Sequence, residues 1–426
     1  MKLHWQILIA LALAVLAGRL SGVDGSVLGV TLYAVYDFLG TLFMNALKMI
    51  IVPLIMSSII TGVAGIGRTE GLGRLGGKTL AFYLSSSLLA ILVGLALVNL
   101  VSPGIIDGRP AREVLGLDGA AVAEVTQKVQ GRTVADLAGV FLSMVPPNVV
   151  AAAANGQMLG LIFFSLLFGF FMTRIEREAG SILTRFWSGV ADVMMGITDL
   201  IMKFAPLGVF GLVAKTVAGI DAEQLDQLAY SLGSFAFSVL GALAVHVFLT
   251  LPLLLWLVGR VNPLRQYQAM LPAMLTAFST ASSSATLPVT MECVRDKAGV
   301  SNRTTSFVLP LGATINMDGT ALYECVAAMF IAQAYGLQLD LVTQFTVVLI
   351  ALLTSIGVAG IPAASLVAIT IILAAIGLPL EAIGLILAVD RILDMFRTSV
   401  NVFSDACGAV IIARSEGESG VLKSAA

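Results

Sequence analysis

Long apolar segments dominate the first 260 residues and leave few folds open to the chain. They cover residues 4–20, 39–66, 75–101, 139–175, 186–217 and 228–258. Crossing a hydrocarbon core as a helix takes about 20 apolar residues. The whole chain is 58% hydrophobic and 12% charged, whereas a soluble domain is about a quarter charged. Since a helix satisfies its own backbone within a bilayer, the sequence predicts an all-α polytopic membrane protein.

Charged residues between these segments predict an orientation. An excess of Lys and Arg marks the cytoplasmic side of a membrane, and Lys2 and most basic connections fall on one side of the predicted spans. We therefore expect a multi-pass protein of the inner (plasma) membrane with both termini cytoplasmic. No convincing small-x-small cleavage site precedes Arg19, so the first segment is interpreted as a span and not as a signal peptide. The net charge of −2 gives no sign of nucleic-acid binding.

Two segments in the C-terminal half are apolar at both ends and interrupted in the middle. One covers residues 267–294 and carries three serines at 282–284, and the other covers residues 341–376 and carries Gly360-Ile-Pro362. Each is too short to span twice, so each is predicted to be a re-entrant helical hairpin. Such backbone is tolerated at membrane depth only where it is buried in protein or lines a cavity. Corresponding interrupted segments are typical of inverted repeats with a binding site between the halves.

Polar residues gather on one side of the apolar segment 387–405. At about 100° per residue, five of them fall within roughly 60° of one another. They are Asp390, Asp394, Arg397, Asn401 and Asp405, with Thr398 just beside them. Ionisable groups at membrane depth are costly and usually face a bundle interior or a water-filled site. Three carboxylates and one guanidinium on one stripe therefore predict a site for charged solutes.

A second polar cluster lies inside the apolar segment 304–335. Its residues Asn316, Asp318 and Gly319 disfavour a regular helix, so we expect an unwound turn, with a plain polar kink as the alternative. Free carbonyl oxygens and the Asp318 carboxylate suit a hard alkali cation and not a soft metal. The two histidines supply no metal cluster. The three cysteines, each in or beside an apolar segment, are interpreted as small buried residues.

Four ordered motifs of the chain resemble one known family. They are the serine-rich tip at 282–284, Asn316-Met-Asp-Gly-Thr320, Gly360-Ile-Pro362, and Asp394-x-x-Arg397-Thr398-x-x-Asn401-x-x-x-Asp405. Together they resemble the glutamate transporter family of sodium:dicarboxylate/amino acid symporters, over nearly the whole chain. The resemblance implies a secondary active transporter, not an enzyme, that couples uptake of aspartate or glutamate to sodium influx.

The resemblance also implies an architecture. Members have eight transmembrane segments and two re-entrant hairpins in inverted repeats, form homotrimers and move by an elevator mechanism. Residues 1–74 and 137–225 would form a scaffold, and residues 103–136 an extracellular loop. Residues 75–102 and 226–426 would form the mobile transport domain.

Substrate residues follow from the resemblance position by position. Arg397 would hold the side-chain carboxylate, because its planar fork matches a carboxylate, and Asp394 would take the amino group. Asn401 would hold the α-carboxylate, Thr398 would add a hydroxyl, and Asp390 would support the site from behind. The full implied set is Ser283, Thr320, Ile361, Pro362, Ser365, Asp390, Asp394, Arg397, Thr398 and Asn401.

Three sodium sites are implied in the same way. One would use Asp405 with carbonyls of Gly312, Asn316 and Asn401. A second would use carbonyls of Thr314, Ser355, Ile356 and Val358. A third would use Asp318, the Asn316 side chain, Ser86, Ser87 and the Tyr83 carbonyl.

Several alternatives stay open at this point. A proton-coupled glutamate or C4-dicarboxylate symporter is the nearest one, although such relatives tend to carry Leu at position 317 and Asn at position 405, where this chain has Met317 and Asp405. A channel and an intramembrane enzyme are more distant. Arg397 could simply neutralise Asp390 and Asp394, and serines 86 and 87 could bond back to their own helix. Many relatives carry an arginine at position 281 or 395. Neither is present here, and Arg391 is a candidate for part of that role.

Overall fold

A computed structural model describes residues 3–67, 73–115, 142, 144–155, 157–337, 339–357, 364–378 and 380–422. The described chain is mostly helical, which agrees with the all-α prediction. Its only described strands are four two-residue pieces, paired as β1 (Ser26–Val27) with β2 (Val30–Thr31) and β3 (Ile105–Ile106) with β4 (Arg109–Pro110).

The first half of the chain holds nine helices in the described residues up to 245. They are α1 (Leu3–Ser21), α2 (Leu32–Gly67), α3 (Gly73–Val101), α4 (Ala111–Leu115), α5 (Val149–Ala154), α6 (Met158–Met172), α7 (Arg177–Lys203), α8 (Ala205–Ala218) and α9 (Ala222–Val245). The long apolar segment 139–175 contains two separate described helices, α5 and α6. Helix α9 begins with a capping box, in which Asp221 and Gln224 satisfy each other's backbone N–H groups.

The second half continues without a break from α9. A π-helical turn (His246–Thr250), α10 (Leu251–Leu254) and a second π-helical turn (Leu255–Gly259) extend it. The helices that follow are α11 (Pro263–Thr280), α12 (Ser283–Glu292), α13 (Asn302–Ile315), α14 (Asp318–Ala334), α15 (Leu341–Gly357), α16 (Ala364–Ile376) and α17 (Leu387–Ser415).

Three described helical stretches are long and apolar enough to cross a membrane: Leu32–Ala64, Arg74–Val101 and Glu223–Gly259. Helices α7 and α8 together would make a fourth, bent by 51° where they meet. Glycine allows close packing between α2 and α8, since a Cβ at Gly211 would lie 2.6 Å from the Tyr36 carbonyl oxygen. Small residues at such crossings let membrane helices approach each other.

The two interrupted segments each form a pair of packed helices. Helices α11 and α12 pack against each other and are joined by Ala281, which has a left-handed φ of 49°, and Ser282, whose hydroxyl accepts the Ala285 N–H. Helices α15 and α16 also pack against each other. The connection at 358–363 lies outside the described residues, and with it the second predicted tip.

The core of the molecule surrounds α14 and the C-terminal half of α17. Every residue from Asp318 to Ala332 is buried, and so is every residue from Val400 to Ala413. Helix α14 packs against α3, α9, α15, α16 and α17. Polar side chains on these two helices therefore meet one another in the interior. The predicted unwound turn is confirmed, because α13 ends at Ile315 and Asn316 has an extended backbone before α14 begins.

The last described residues fold back onto the ends of other helices. The Leu422 N–H donates to the Ala298 carbonyl (2.8 Å), and the Arg265 guanidinium donates to the Leu422 carbonyl (2.9 Å). Glu418 accepts the N–H and hydroxyl of Ser301 and the hydroxyl of Thr304. We call residues 414–422 the C-terminal clasp.

Candidate functional site

Helix α17 carries the predicted polar stripe on one unbroken helix. Asp390, Arg397, Asn401 and Asp405 are buried, and the Asp394 side chain retains 24% of its exposure. Exposure at Asp394 leaves this carboxylate accessible from one side of the cluster. The stripe is therefore an interior surface with a single partly open edge.

Arg397 is the centre of a first cluster of side chains on this stripe. Its Nη2 lies 3.0 Å from Asp390 Oδ1 and 3.1 Å from Asp394 Oδ1. The guanidinium carbon stands 3.8 Å from the centroid of the Tyr323 ring, a cation–π contact. Nitrogens Nε and Nη1 are buried without a hydrogen-bond partner in the described structure.

Both acids thus share a single nitrogen of Arg397. The guanidinium does neutralise Asp390 and Asp394, which was one of the alternatives left open by the sequence. Two of its nitrogens, however, do not contact either acid. Buried donors without partners are costly and call for a ligand. The arrangement can receive a carboxylate on Arg397 and an ammonium on Asp394.

Asn401 joins α17 to the start of α14. Its side-chain oxygen accepts the Gly319 N–H (2.8 Å), and its amide nitrogen donates to the Thr320 hydroxyl (3.1 Å). A Cβ at Gly319 would lie 2.8 Å from the Arg397 carbonyl oxygen, so glycine is required for this close approach. The predicted residues Thr320, Asn401 and Arg397 are in this way brought to one place.

Asp318 is the centre of a second cluster, which is fully buried. Its Oδ1 accepts hydrogen bonds from Ser87 (2.6 Å) and Ser86 (3.3 Å), and its Oδ2 accepts one from Ser404 (2.5 Å). Ser86 also contacts the Asn316 side-chain oxygen and the Tyr83 carbonyl at 3.3 Å. The serines of α3 therefore face the predicted third sodium site and are not only bonded within their own helix.

Asp405 adjoins this cluster on the other side of Asn316. The Asn316 amide donates to Asp405 Oδ1 (2.9 Å) and to the Ser404 hydroxyl (3.1 Å). A Cβ at Gly312 would lie 2.5 Å from Asp405 Oδ1. The set is rich in oxygen and suits a hard cation. No group of three His, Cys, Asp or Glu side chains suited to a metal occurs in the part of the chain that the structure describes.

Other predicted site residues are described less fully. Ser283, Ser365 and Thr398 are buried, and Thr314 is exposed with its hydroxyl bonded to the Leu311 carbonyl (2.9 Å). Ser355 and Ile356 lie at the end of α15, and their side chains are not described. Val358, Ile361 and Pro362 lie outside the described residues, so their assigned roles stay predictions.

The model of the sodium:dicarboxylate symporter family matches residues 3–415 of the chain. The chain belongs to this family.

Curated relatives agree with this assignment. The chain is 35% identical to the proton/sodium-glutamate symport protein of Geobacillus stearothermophilus over 417 residues, covering 98% of this chain and 95% of that protein. It is 34% identical to the proton/glutamate-aspartate symporter of Escherichia coli (strain K12), covering 97% and 93%. It is 36% identical to human excitatory amino acid transporter 3, covering 97% and 86%. As a member of the symporter family, the protein is an integral membrane transporter and not an enzyme.

Three residues of this symporter's interior escaped the sequence analysis. His246 Nε2 lies 3.1 Å from Asp318 Oδ2, and both side chains are fully buried. Ser404 bridges Asp318 and Asn316. Glu324, one turn and a half into α14, is 1% exposed and accepts a hydrogen bond from the Thr354 hydroxyl (2.9 Å). A buried ionisable residue in an apolar segment was the available signal for His246 and Glu324, and no motif marked Ser404.

The cysteines behave as expected. Cys293, Cys325 and Cys407 are all buried and free. Their role as small interior residues is confirmed.

Proposed function

We propose that the protein couples uptake of an acidic amino acid, aspartate or glutamate, to sodium influx across the plasma membrane. The observation that carries the proposal is Arg397, a buried guanidinium with two unpaired nitrogens, next to the partly exposed carboxylate of Asp394. A planar guanidinium fits a carboxylate, and a carboxylate fits an ammonium. An acidic amino acid carries both groups.

Sodium coupling is supported by the second cluster, which contains Asp318 and Asp405. Asp318, Asp405, Asn316 and the hydroxyls of Ser86 and Ser87 supply oxygen atoms within one buried volume. Asn401 connects the two clusters through Gly319. Cation binding would then order the backbone that carries the substrate residues. This ordering would link sodium affinity to substrate affinity.

Proton coupling is the second candidate, with glutamate or a C4-dicarboxylate as substrate. The two bacterial relatives favour it, since a proton is part of the name of each symporter. Met317 and Asp405 are the residues of this chain that favour sodium. The buried carboxyl of Glu324 is one of the groups in the described core that can bind a proton.

The same proposal extends to the architecture. Eight spans and two re-entrant hairpins, α11–α12 and α15–α16, would form inverted repeats. Residues 1–74 and 137–225 would be the scaffold of a homotrimer, and residues 75–102 and 226–426 would move as an elevator, with both termini cytoplasmic. Packing supports the division, because α1, α2, α7 and α8 pack together, while α3, α9 and α14 pack with α17.

Uptake into proteoliposomes tests the function. Labelled aspartate is offered under an inward sodium gradient, under an inward proton gradient without sodium, and under neither. We expect accumulation above the external concentration only with sodium. Accumulation driven by protons alone would establish the second candidate, and equilibration without accumulation would indicate a channel.

A further inference from the structure

A second guanidinium lies beside the substrate cluster, on the residue after Asp390. Arg391 Nε is 3.6 Å from Asp390 Oδ2, and its Nη1 is 3.5 Å from Asp394 Oδ2. Both distances exceed those of a good hydrogen bond. Arg391 therefore holds the two acids by charge and leaves their oxygen atoms free for shorter contacts.

The other side of Arg391 is apolar. Arg391 lines a narrow cavity between α17 and helices α1, α2 and α8, together with Ile7, Phe43 and Val209. Apart from Asp390 and Arg391, every side chain that lines this cavity among the described residues is apolar. The Arg391 side chain is only 15% exposed. Its charge is thus directed at the two acids by the lack of any competing partner on the cavity wall.

The balance of charges in the site depends on Arg391 once a substrate binds. Asp390 and Asp394 carry two negative charges, and Arg391 and Arg397 carry two positive charges. A substrate carboxylate that binds the free nitrogens of Arg397 shares the positive charge of this guanidinium with the two acids. Asp394 then needs another counter-ion. An amino acid provides its own ammonium, whereas a dicarboxylate without an amino group does not.

We propose that Arg391 is a positioning residue that serves as the counter-ion of Asp394 when the substrate has no ammonium. Through Asp394 it sets the selectivity between acidic amino acids and C4-dicarboxylates such as succinate, and it lets the site accept both. The inference rests on the proposed function, since it assumes that Arg397 and Asp394 bind substrate.

Loss of the Arg391 charge acts differently on the two substrate classes. For aspartate, the carboxylates lose a nearby cation, but the ammonium loses a competitor for Asp394, so the two effects oppose each other. For succinate only the first effect exists, and Asp394 is left as an unbalanced charge with only 24% of its side chain exposed. Unpaired charge in a low-dielectric site is costly. Selectivity should therefore shift towards the amino acid.

Equilibrium binding to purified protein in sodium tests this. Kd values for aspartate and succinate are measured for the parent protein, Arg391→Gln, Arg391→Lys and, as a matched control, Arg295→Gln, which removes an exposed arginine paired with its neighbour Asp296. We expect Arg391→Gln to raise the succinate Kd at least about tenfold more than the aspartate Kd. Arg391→Lys, which keeps the charge, should stay within about threefold of the parent ratio.

Three results would overturn the inference. They are equal changes for both ligands in Arg391→Gln, the same shift in Arg391→Lys, and a parent protein that binds aspartate but not succinate. In each case the proposed function stands. A parent protein that binds neither ligand contradicts the proposed function itself. If Arg391→Gln does not fold, Arg391→Met, which suits the apolar wall, carries the same expectation.

Discussion

Helix α17 connects two charged regions that use the same residue types in different ways. The interior cluster, residues 390–405, holds Asp390, Asp405 and Arg397 buried among α3, α13 and α14. The C-terminal clasp holds its charges at the surface, where Arg74 and Lys78 pair with Glu416, and Arg74 is 75% exposed. One helix thus supports charge both in its middle and beyond its end.

The two regions differ in how much hydration each charged group loses on folding. An exposed ion pair exchanges water for a partner at little net gain. A buried one loses much more hydration and must be compensated by hydrogen bonds or by a ligand. In the interior cluster, two nitrogens of Arg397 have no hydrogen-bond partner. In the clasp, the charged side chains of Arg414, Glu416 and Glu418 each have a hydrogen-bond partner. The interior cluster is therefore built for binding, and the clasp for holding helices together.

Arginine substitution should give the largest contrast. Arg397→Cys or Arg397→Thr should lower uptake of acidic substrates more than about thirtyfold, because a buried charged contact with the substrate carboxylate is lost. Neutral amino acids could then enter. Arg414→Gln is the matched control on the same helix, since Arg414 donates to the carbonyls of Glu418 and Gly259, and it should retain most uptake.

The measurement is uptake of labelled aspartate with serine as the competing neutral substrate. Unchanged aspartate affinity in Arg397→Cys would remove this residue from the site.

Acid substitution should come next in size. Asp318→Asn should nearly stop transport, because its carboxylate accepts four contacts, from Ser86, Ser87, Ser404 and His246. Asp405→Asn should raise the sodium concentration needed for half-maximal uptake. Glu416→Gln, in the clasp, serves as the control and should leave sodium activation as it is. Parent-like sodium activation in both aspartate variants would contradict the assignment of the cation sites.

Serine substitution should have a smaller effect than substitution of the acids. Ser404→Ala removes the hydroxyl that bridges Asp318 and Asn316. Since only one hydrogen bond to a charged group is lost, at about 1.5–3 kcal/mol, we expect sodium activation to weaken about tenfold or more. Ser415→Ala, at the end of the same helix, should have no such effect. Equal sodium titrations for the two variants would show that Ser404 does not support the cation site.

The smallest predicted effect is that of protonating the carboxylates of the clasp. Protonation there should change the stability of the protein and not its substrate selectivity. A hydrogen bond from Lys78 lowers the pKa of Glu416. Burial alone would raise the pKa of Glu418, but hydrogen bonds from Ser301 and Thr304 lower it below its usual value. A carboxyl whose folded pKa is lowered stabilises the protein above its unfolded pKa, and this is lost as the pH falls through the folded value.

Thermal unfolding of the purified protein between pH 7 and pH 3 checks this. The double variant Glu416→Gln with Glu418→Gln should unfold at a slightly lower temperature than the parent at pH 7, and the two should converge at pH 3. A gap that stays constant with pH would mean that the carboxylates do not act by charge.

Much of this architecture could be predicted from the sequence because it is periodic or local. The 100° repeat alone brought Asp390, Asp394, Arg397, Asn401 and Asp405 to one side of a helix, and low helix propensity alone predicted the break at Asn316. The resemblance to the family then implied that Ser86 and Ser87 lie near Asp318.

Contacts that depend on packing between distant helices could not be predicted. His246 meets Asp318 across 72 residues, and Ser404 meets it across 86. The π-helical turn that begins at His246 changes the register of its helix, and such turns leave no simple sequence signal. Arg391 was a candidate from the sequence, but its apolar surroundings come from distant helices, among them α1, α2 and α8.

The central claim is that substrate and sodium bind to one connected interior cluster, joined through Asn401. Titration of the purified protein with aspartate at sodium concentrations from about zero to saturation tests it most directly, because coupled ligands must raise each other's affinity. The account predicts that the aspartate Kd falls steeply as sodium rises in the parent and in Arg414→Gln, and that Arg397→Cys does not bind aspartate at any sodium concentration. An aspartate Kd that is independent of sodium would contradict it.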